Sequence, residues 1–185
     1  YRVKMQSTTK FIVTPKGGNH YINEKEMNGH KITVNTSIEG ANDTNRNGII
    51  VALPLDYNGN ILVGDEVIVQ HNVFRDWCDV RGRLQKSTDH IQDELFYAED
   101  STIFMIIRDG KIIPIDNYCF VKPIYKEDRF LGKIKDDHLG IVKFSNDLLE
   151  KQGVFDGDKI GFKTDSEYEF EIDGEIYYRV RTPNI

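Results

Sequence analysis

Ile61-Leu62-Val63-Gly64-Asp65-Glu66-Val67-Ile68-Val69 reads as a turn feeding a strand: apolar residues, a Gly-Asp pair, then a run rich in β-branched side chains. The same order returns as Gly153-Val154-Phe155-Asp156-Gly157-Asp158-Lys159-Ile160-Gly161-Phe162. A Gly-headed apolar run precedes each copy, Gly48-Ile49-Ile50-Val51-Ala52-Leu53 in the first and Gly140-Ile141-Val142-Lys143-Phe144 in the second. Further upstream, Phe11-Ile12-Val13-Thr14-Pro15 is matched by Cys119-Phe120-Val121-Lys122-Pro123. Three landmarks in one order predict a duplicated all-β chain, with a first unit over 1–114 and a shorter second unit over 115–185.

Between the first two landmarks of the first unit the chain turns polar over 16–47, with Gly17-Gly18, Asn28-Gly29 and a run from Glu39 to Asn47. Only Lys31-Ile32-Thr33-Val34-Asn35 interrupts it with strand-like alternation. A structureless stretch of this length inside a compact domain is usually functional or disordered, so 16–47 is expected to be a functional loop. Its counterpart in the second unit, 125–139, is shorter. The polar residues 83–94 read as a surface loop and an insertion, and 111–116 as a link between the units. Residues 63–70, 95–98 and 103–107 read as strands, and 146–152 as one helical turn. Tyr168-Glu169-Phe170-Glu171-Ile172, the turn Asp173-Gly174 and the run from Ile176 to Val180 predict a tight hairpin.

The formal charge of −6 argues against a nucleic-acid partner, because phosphate contacts need a basic face. No apolar run approaches the roughly 20 residues that span a bilayer, so no membrane partner is expected. Two cysteines, Cys78 and Cys119, make no disulfide framework and suit a reducing cytoplasm; Cys119 sits in a strand pattern and is expected to be a buried thiol. The histidines at 20, 30, 71, 90 and 138 have no partners at zinc-ligand spacing. There is no nucleophile elbow, phosphate loop or dinucleotide fingerprint. The expectation is therefore no catalytic residues, no metal and no cofactor. Phe74, Trp77, Phe96, Tyr97 and Phe104 could stack on bases, but acidic charge and strand periodicity favour a core with one aromatic edge.

In the second unit Phe120-Val121-Lys122-Pro123, Gly140-Ile141-Val142, Gly157-Asp158-Lys159-Ile160, the stretch from Ile172 to Tyr177, and Asn184-Ile185 follow one another in order. In the first, Phe11-Ile12-Val13, the run from Gly48 to Ala52, Val63-Gly64-Asp65-Glu66-Val67 and the run from Glu99 to Ile103 do the same. This ordered set resembles the GroES-type co-chaperonin family over nearly the whole chain. The resemblance implies two tandem small GroES-like β-barrels, assembled as a homo-oligomeric ring. It also implies a non-enzymatic cap for a GroEL-type chaperonin, which itself binds the nucleotide. In that family a mobile loop docks through a short aliphatic tripeptide. The nearest residues here are Ile32, Thr33 and Val34 in the first loop and Phe130 and Leu131 in the second. On alternation alone Ile32 and Val34 read equally as an edge strand. GroES-like barrels also open medium-chain dehydrogenases, but neither a nucleotide-binding half nor a zinc-ligand set is visible here. The alternative from another class is a structural or assembly protein built on the same barrel, for example in a phage virion.

Overall fold

The computed structural model describes residues 6–21, 24–27, 30–33, 44–130, 132–172 and 174–185; over 24–33 it describes the backbone alone. The chain is all-β apart from short 3-10 turns and, among the described residues, one short α-helix. It divides into two compact units, Tyr1–Lys111 and Ile112–Ile185.

The first set of strands is β1 (Phe11–Pro15), β2 (Glu24–Met27), β3 (His30–Thr33), β4 (Asn47–Ala52), β5 (Glu66–Val69), β6 (Trp77–Cys78), β7 (Leu84–Gln85), β8 (His90–Gln92), β9 (Leu95–Ala98), β10 (Ile103–Arg108) and β11 (Lys111–Pro114). Seven of them form a sheet in the order β11-β10-β5-β4-β1-β9-β8, while β2-β3 and β6-β7 are separate two-stranded ribbons. The apolar runs are the central strands: Phe11, Ile12, Val13, Val67, Ile68, Val69 and the stretch Ile103 to Ile106 are all buried. Burial of each such side chain contributes about 1.5–3 kcal/mol. Phe74 enters from the segment after β5 and meets Phe96 edge to face at 5.1 Å between centroids. The aromatic set is thus mostly core: Phe74, Phe96 and Phe104 are buried, and Trp77 is exposed.

The second set is β12 (Tyr118–Asp128), β13 (Gly132–Phe144), the helix α1 (Asp147–Lys151), β14 (Lys159–Gly161), β15 (Tyr168–Ile172) and β16 (Glu175–Arg181). Its sheet runs β14-β13-β12-β16-β15. Cys119, Val121, Val142, Leu149, Ile160, Phe162, Tyr178 and Val180 make its core. Burial pushes the Cys119 thiol up to about 12, so it stays protonated and behaves as a small apolar group. Asn146 caps α1: its side-chain oxygen accepts from the Leu148 and Leu149 amides, and its Nδ2 donates to Tyr118 O and Thr182 Oγ1. That cap aims Leu149 into the core.

The duplication is written in the hydrogen bonds. In the first unit Gly64 N donates to Ile50 O (2.8 Å), Ile50 N to Asp65 O (2.9 Å), Asp65 N to Leu62 O (3.1 Å), and Leu62 N to Asp65 Oδ2 (2.7 Å). In the second, Gly157 N donates to Val142 O (2.8 Å), Val142 N to Asp158 O (2.8 Å), Asp158 N to Phe155 O (3.1 Å), and Phe155 N to Asp158 Oδ2 (2.8 Å). Gly64 and Gly157 sit at φ +94 and +96, a conformation that costs glycine little and other residues much. The strand registers agree as well: Val13 faces Ile50 and Pro15 faces Gly48, as Val121 faces Val142 and Pro123 faces Gly140.

Four expectations need correction. Residues 125–139 are no loop; β12 and β13 continue as one ribbon, with Tyr125 opposite Lys135 and Asp128 opposite Gly132. Beyond Pro123 the ladder persists while Lys126, Glu127 and Lys133 are exposed, so apolar alternation fades without the strands ending. Residues 83–94 are no loop either: they hold β7 and β8, and Asp93-Glu94 is the tight turn between Gln92 and Leu95 that matches the turn between Ile172 and Glu175. The strand expected over 63–70 begins at Glu66, because 62–65 are used in the turn. The expected link over 111–116 contains β11, paired on β10.

Two contrasts follow. A Cβ at Gly140 would lie 2.9 Å from Val121 Cγ2 and 3.1 Å from Lys122 O, whereas one at Gly161 would meet nothing nearer than 3.6 Å. Gly140→Ala is expected to cost about 1–3 kcal/mol in urea unfolding, and Gly161→Ala well under that. Arg108 donates from Nε to Asp65 Oδ1 (2.9 Å) and from Nη2 to Asp65 Oδ2 (2.5 Å), which holds the Asp65 carboxyl below the usual carboxylate range. With a lowered folded pKa, this stabilisation is present above the unfolded value of about 4 and is lost as pH falls through the folded one. Asp65→Asn is therefore expected to cost about 1–3 kcal/mol at neutral pH and to flatten the acid limb of a stability-versus-pH curve.

Candidate functional site

The two flanks of the stretch 22–43 meet at a built base. Tyr21 and Thr44 form an isolated β-bridge, and Asn45 N donates to His20 O (2.8 Å). Asn45, 8% exposed, spends its whole side chain on the two flanks. Its Nδ2 donates to Lys16 O (3.1 Å) and Asn19 O (2.8 Å), and its Oδ1 accepts from Asn47 N (2.9 Å). Side-chain contacts fasten the near flank to its neighbours: Lys16 pairs with Glu66 (2.6 Å), and His20 Nε2 hydrogen-bonds the Glu94 carboxyl, with the His20 ring edge-on to Phe96. Tyr21 Oη accepts from Asp76 N (2.9 Å), and burial raises its phenol pKa.

Within that stretch β2 and β3 pair with Lys25 opposite Ile32 and Glu24 opposite Thr33. Of the first candidate triplet, the backbones of Ile32 and Thr33 therefore lie on a paired strand, and Val34 falls outside the described residues. In the second unit Phe130 stands in the turn after β12, 91% exposed, and Leu131 falls outside the described residues. The two candidate sets belong to different units. Each set lies on the excursion between equivalent strand pairs: β1 and β4 in the first unit, the Val121 and Val142 segments in the second.

Sequence reasoning missed the charged groups around His71 and Asp76. His71 lies near Arg46 and Arg75; burial, then those two cations, lower its pKa to about 4, so it is neutral at pH 7. The Asp76 carboxylate is buried and reaches Lys86 at 3.3 Å. Among the described residues no group of three or more His, Cys, Asp or Glu is placed to hold a metal ion, and no helix is long and apolar enough to cross a membrane.

Truncating Asn45 to Ala removes three hydrogen bonds at the base and leaves two carbonyls without these donors. Expected are a stability loss of about 1–3 kcal/mol and roughly tenfold faster amide exchange at Asn47, read by NMR. No protein-family model and no curated protein matches the chain, so the functional reading rests on this geometry and on the sequence landmarks.

Proposed function

We propose that the chain is a non-enzymatic, co-chaperonin-like protein. In this reading two tandem GroES-like β-barrels bind a GroEL-type chaperonin ring through their projecting segments and assist protein folding. It acts in the cytoplasm of a bacterial or phage-infected cell, as a homo-oligomeric ring, without a cofactor of its own. The observation that carries the proposal is an excursion at the same topological place in both units, between β1 and β4 in the first and between the Val121 and Val142 segments in the second. Such an excursion can meet a partner while the sheets keep its ends fixed. Part of the contact energy is then spent on ordering, which keeps docking reversible. Ile32, Thr33 and Val34 form the first contact in this proposal, and Phe130 with Leu131 the second. Burying a side chain as exposed as Phe130 is worth about 1.5–3 kcal/mol to a complex.

A second reading, a structural or assembly protein such as a phage virion component, is favoured by one observation. The β12–β13 ladder runs unbroken in pairing from Tyr125 to Asp128, which suits an arm packed on a fixed neighbour.

Co-migration with a bacterial chaperonin and ATP on a sizing column separates the two readings. The proposal expects nucleotide-dependent co-migration that drops at least tenfold when Ile32 and Val34 become Asp, and again when Phe130 becomes Asp. Absence of binding to several chaperonins, with stable self-assembly, would sink it and leave the structural reading.

A further inference from the structure

We propose that the tip of the β6–β7 ribbon settles into the headgroup layer of an anionic lipid surface. The ribbon pairs with neither large sheet. Trp77 lies opposite Gln85 and Cys78 opposite Leu84, so Trp77 and Leu84 stand on opposite faces of it. Both are exposed, at 41% and 54%, and Val80 at the tip is wholly so. Each face of the ribbon therefore holds an apolar side chain in water. A flat protein surface covers one such face; a fluid interface closes around the tip and covers both, and its hold grows with the apolar area buried.

The backbone of the tip suits a medium in which an unpaired amide is costly. Arg81 N and Arg83 N both donate to Asp79 Oδ1 (2.9 Å each), Gly82 N to Asp79 O (2.8 Å) and Asp79 N to Arg83 O (3.0 Å). The Trp77 indole N–H donates to Lys86 O at 3.1 Å, so its polar edge is satisfied within the ribbon. A phosphate-binding loop would instead leave its amides open to the ligand. Charge points the same way. Across 75–86 the cations Arg75, Arg81, Arg83 and Lys86 outnumber the carboxylates Asp76 and Asp79, in a chain of net charge −6. Asp76 is buried and reaches Lys86 at 3.3 Å, and the Asp79 carboxylate is spent on the turn and on Arg83 Nε (2.9 Å). Arg81, Arg83 and Lys86 are all exposed around the apolar side chains. Each such cation adds attraction to an anionic leaflet. The expectation of no membrane partner rests on spanning length, and contact within the headgroup layer needs no spanning segment. This surface is independent of the chaperonin reading.

Trp77 is the only tryptophan in the sequence, so its fluorescence reports on this ribbon directly. The test adds the 185-residue chain to vesicles of equal parts phosphatidylcholine and phosphatidylglycerol. A blue shift of the emission is expected, with no shift on vesicles of phosphatidylcholine alone. Val80→Asp and Arg81→Glu change exposed side chains, so their urea unfolding midpoints are expected to match the parent. Each is expected to weaken co-sedimentation with the anionic vesicles roughly tenfold. Unshifted emission, undiminished binding of either variant, or equal binding to the neutral vesicles overturns the proposal. So does a shift without vesicles that grows with protein concentration, which makes a second copy the occupant, or a shift produced by single-stranded DNA and not by vesicles.

Discussion

Two backbone hydrogen bonds tie the Gly-Asp turn to the strand before it, and the rest of each unit is arranged around that tie. Gly64 N to Ile50 O and Ile50 N to Asp65 O close the turn onto β4 in the first unit; Gly157 N to Val142 O and Val142 N to Asp158 O do so in the second. Closure at this point sets the register of the following strand, and a slip of one residue would turn Val67 and Val69, or Ile160 and Phe162, out of the core. The carboxylates of Asp65 and Asp158 finish the turn by accepting from Leu62 N and Phe155 N. Only a residue that tolerates φ near +95 fits before them, which accounts for the repeated Gly-Asp pair.

Around this shared frame the units solve the same packing problem with different parts. The first fills its core with Phe74, delivered by the segment after β5, whose ring lies 3.1 Å from where a Cβ on Gly48 would stand. The second uses Leu149, delivered by α1 and aimed by the Asn146 cap. The first adds an Arg108 clamp on its turn aspartate. The excursions differ most: a separate β2–β3 ribbon between flanks joined by Asn45 in one, an extension of the main strands past a register shift between Pro123 and Tyr125 in the other. Divergence of projecting segments on a kept frame is the usual outcome when loops carry function and sheets carry stability.

Much of the frame was legible because its cues are local. The Gly-Asp pairs, the β-branched runs and the hairpin at 173–174 announce turns and strands within a few residues, and Asn146 before Asp147-Leu148-Leu149 announces a capped helical turn. The missed strands lack a core face. β6, β7 and the outer halves of β12 and β13 pair without covering a second layer, so no apolar alternation marks them. The candidate site was legible only in part. Alternation flagged Ile32, whose backbone does lie on a strand. Asn45 carried no signal among Asn42 and Asn47, because its partners are backbone carbonyls 26 and 29 residues away.

The account stands on the claim that one turn-to-strand tie is used twice. Through-hydrogen-bond scalar couplings measured by NMR on the labelled chain test it directly. The account predicts four couplings, from the amides of Gly64, Ile50, Gly157 and Val142 to the carbonyls of Ile50, Asp65, Val142 and Asp158. Couplings confined to one unit, with the corresponding amides of the other bonded elsewhere or open to solvent, would contradict it.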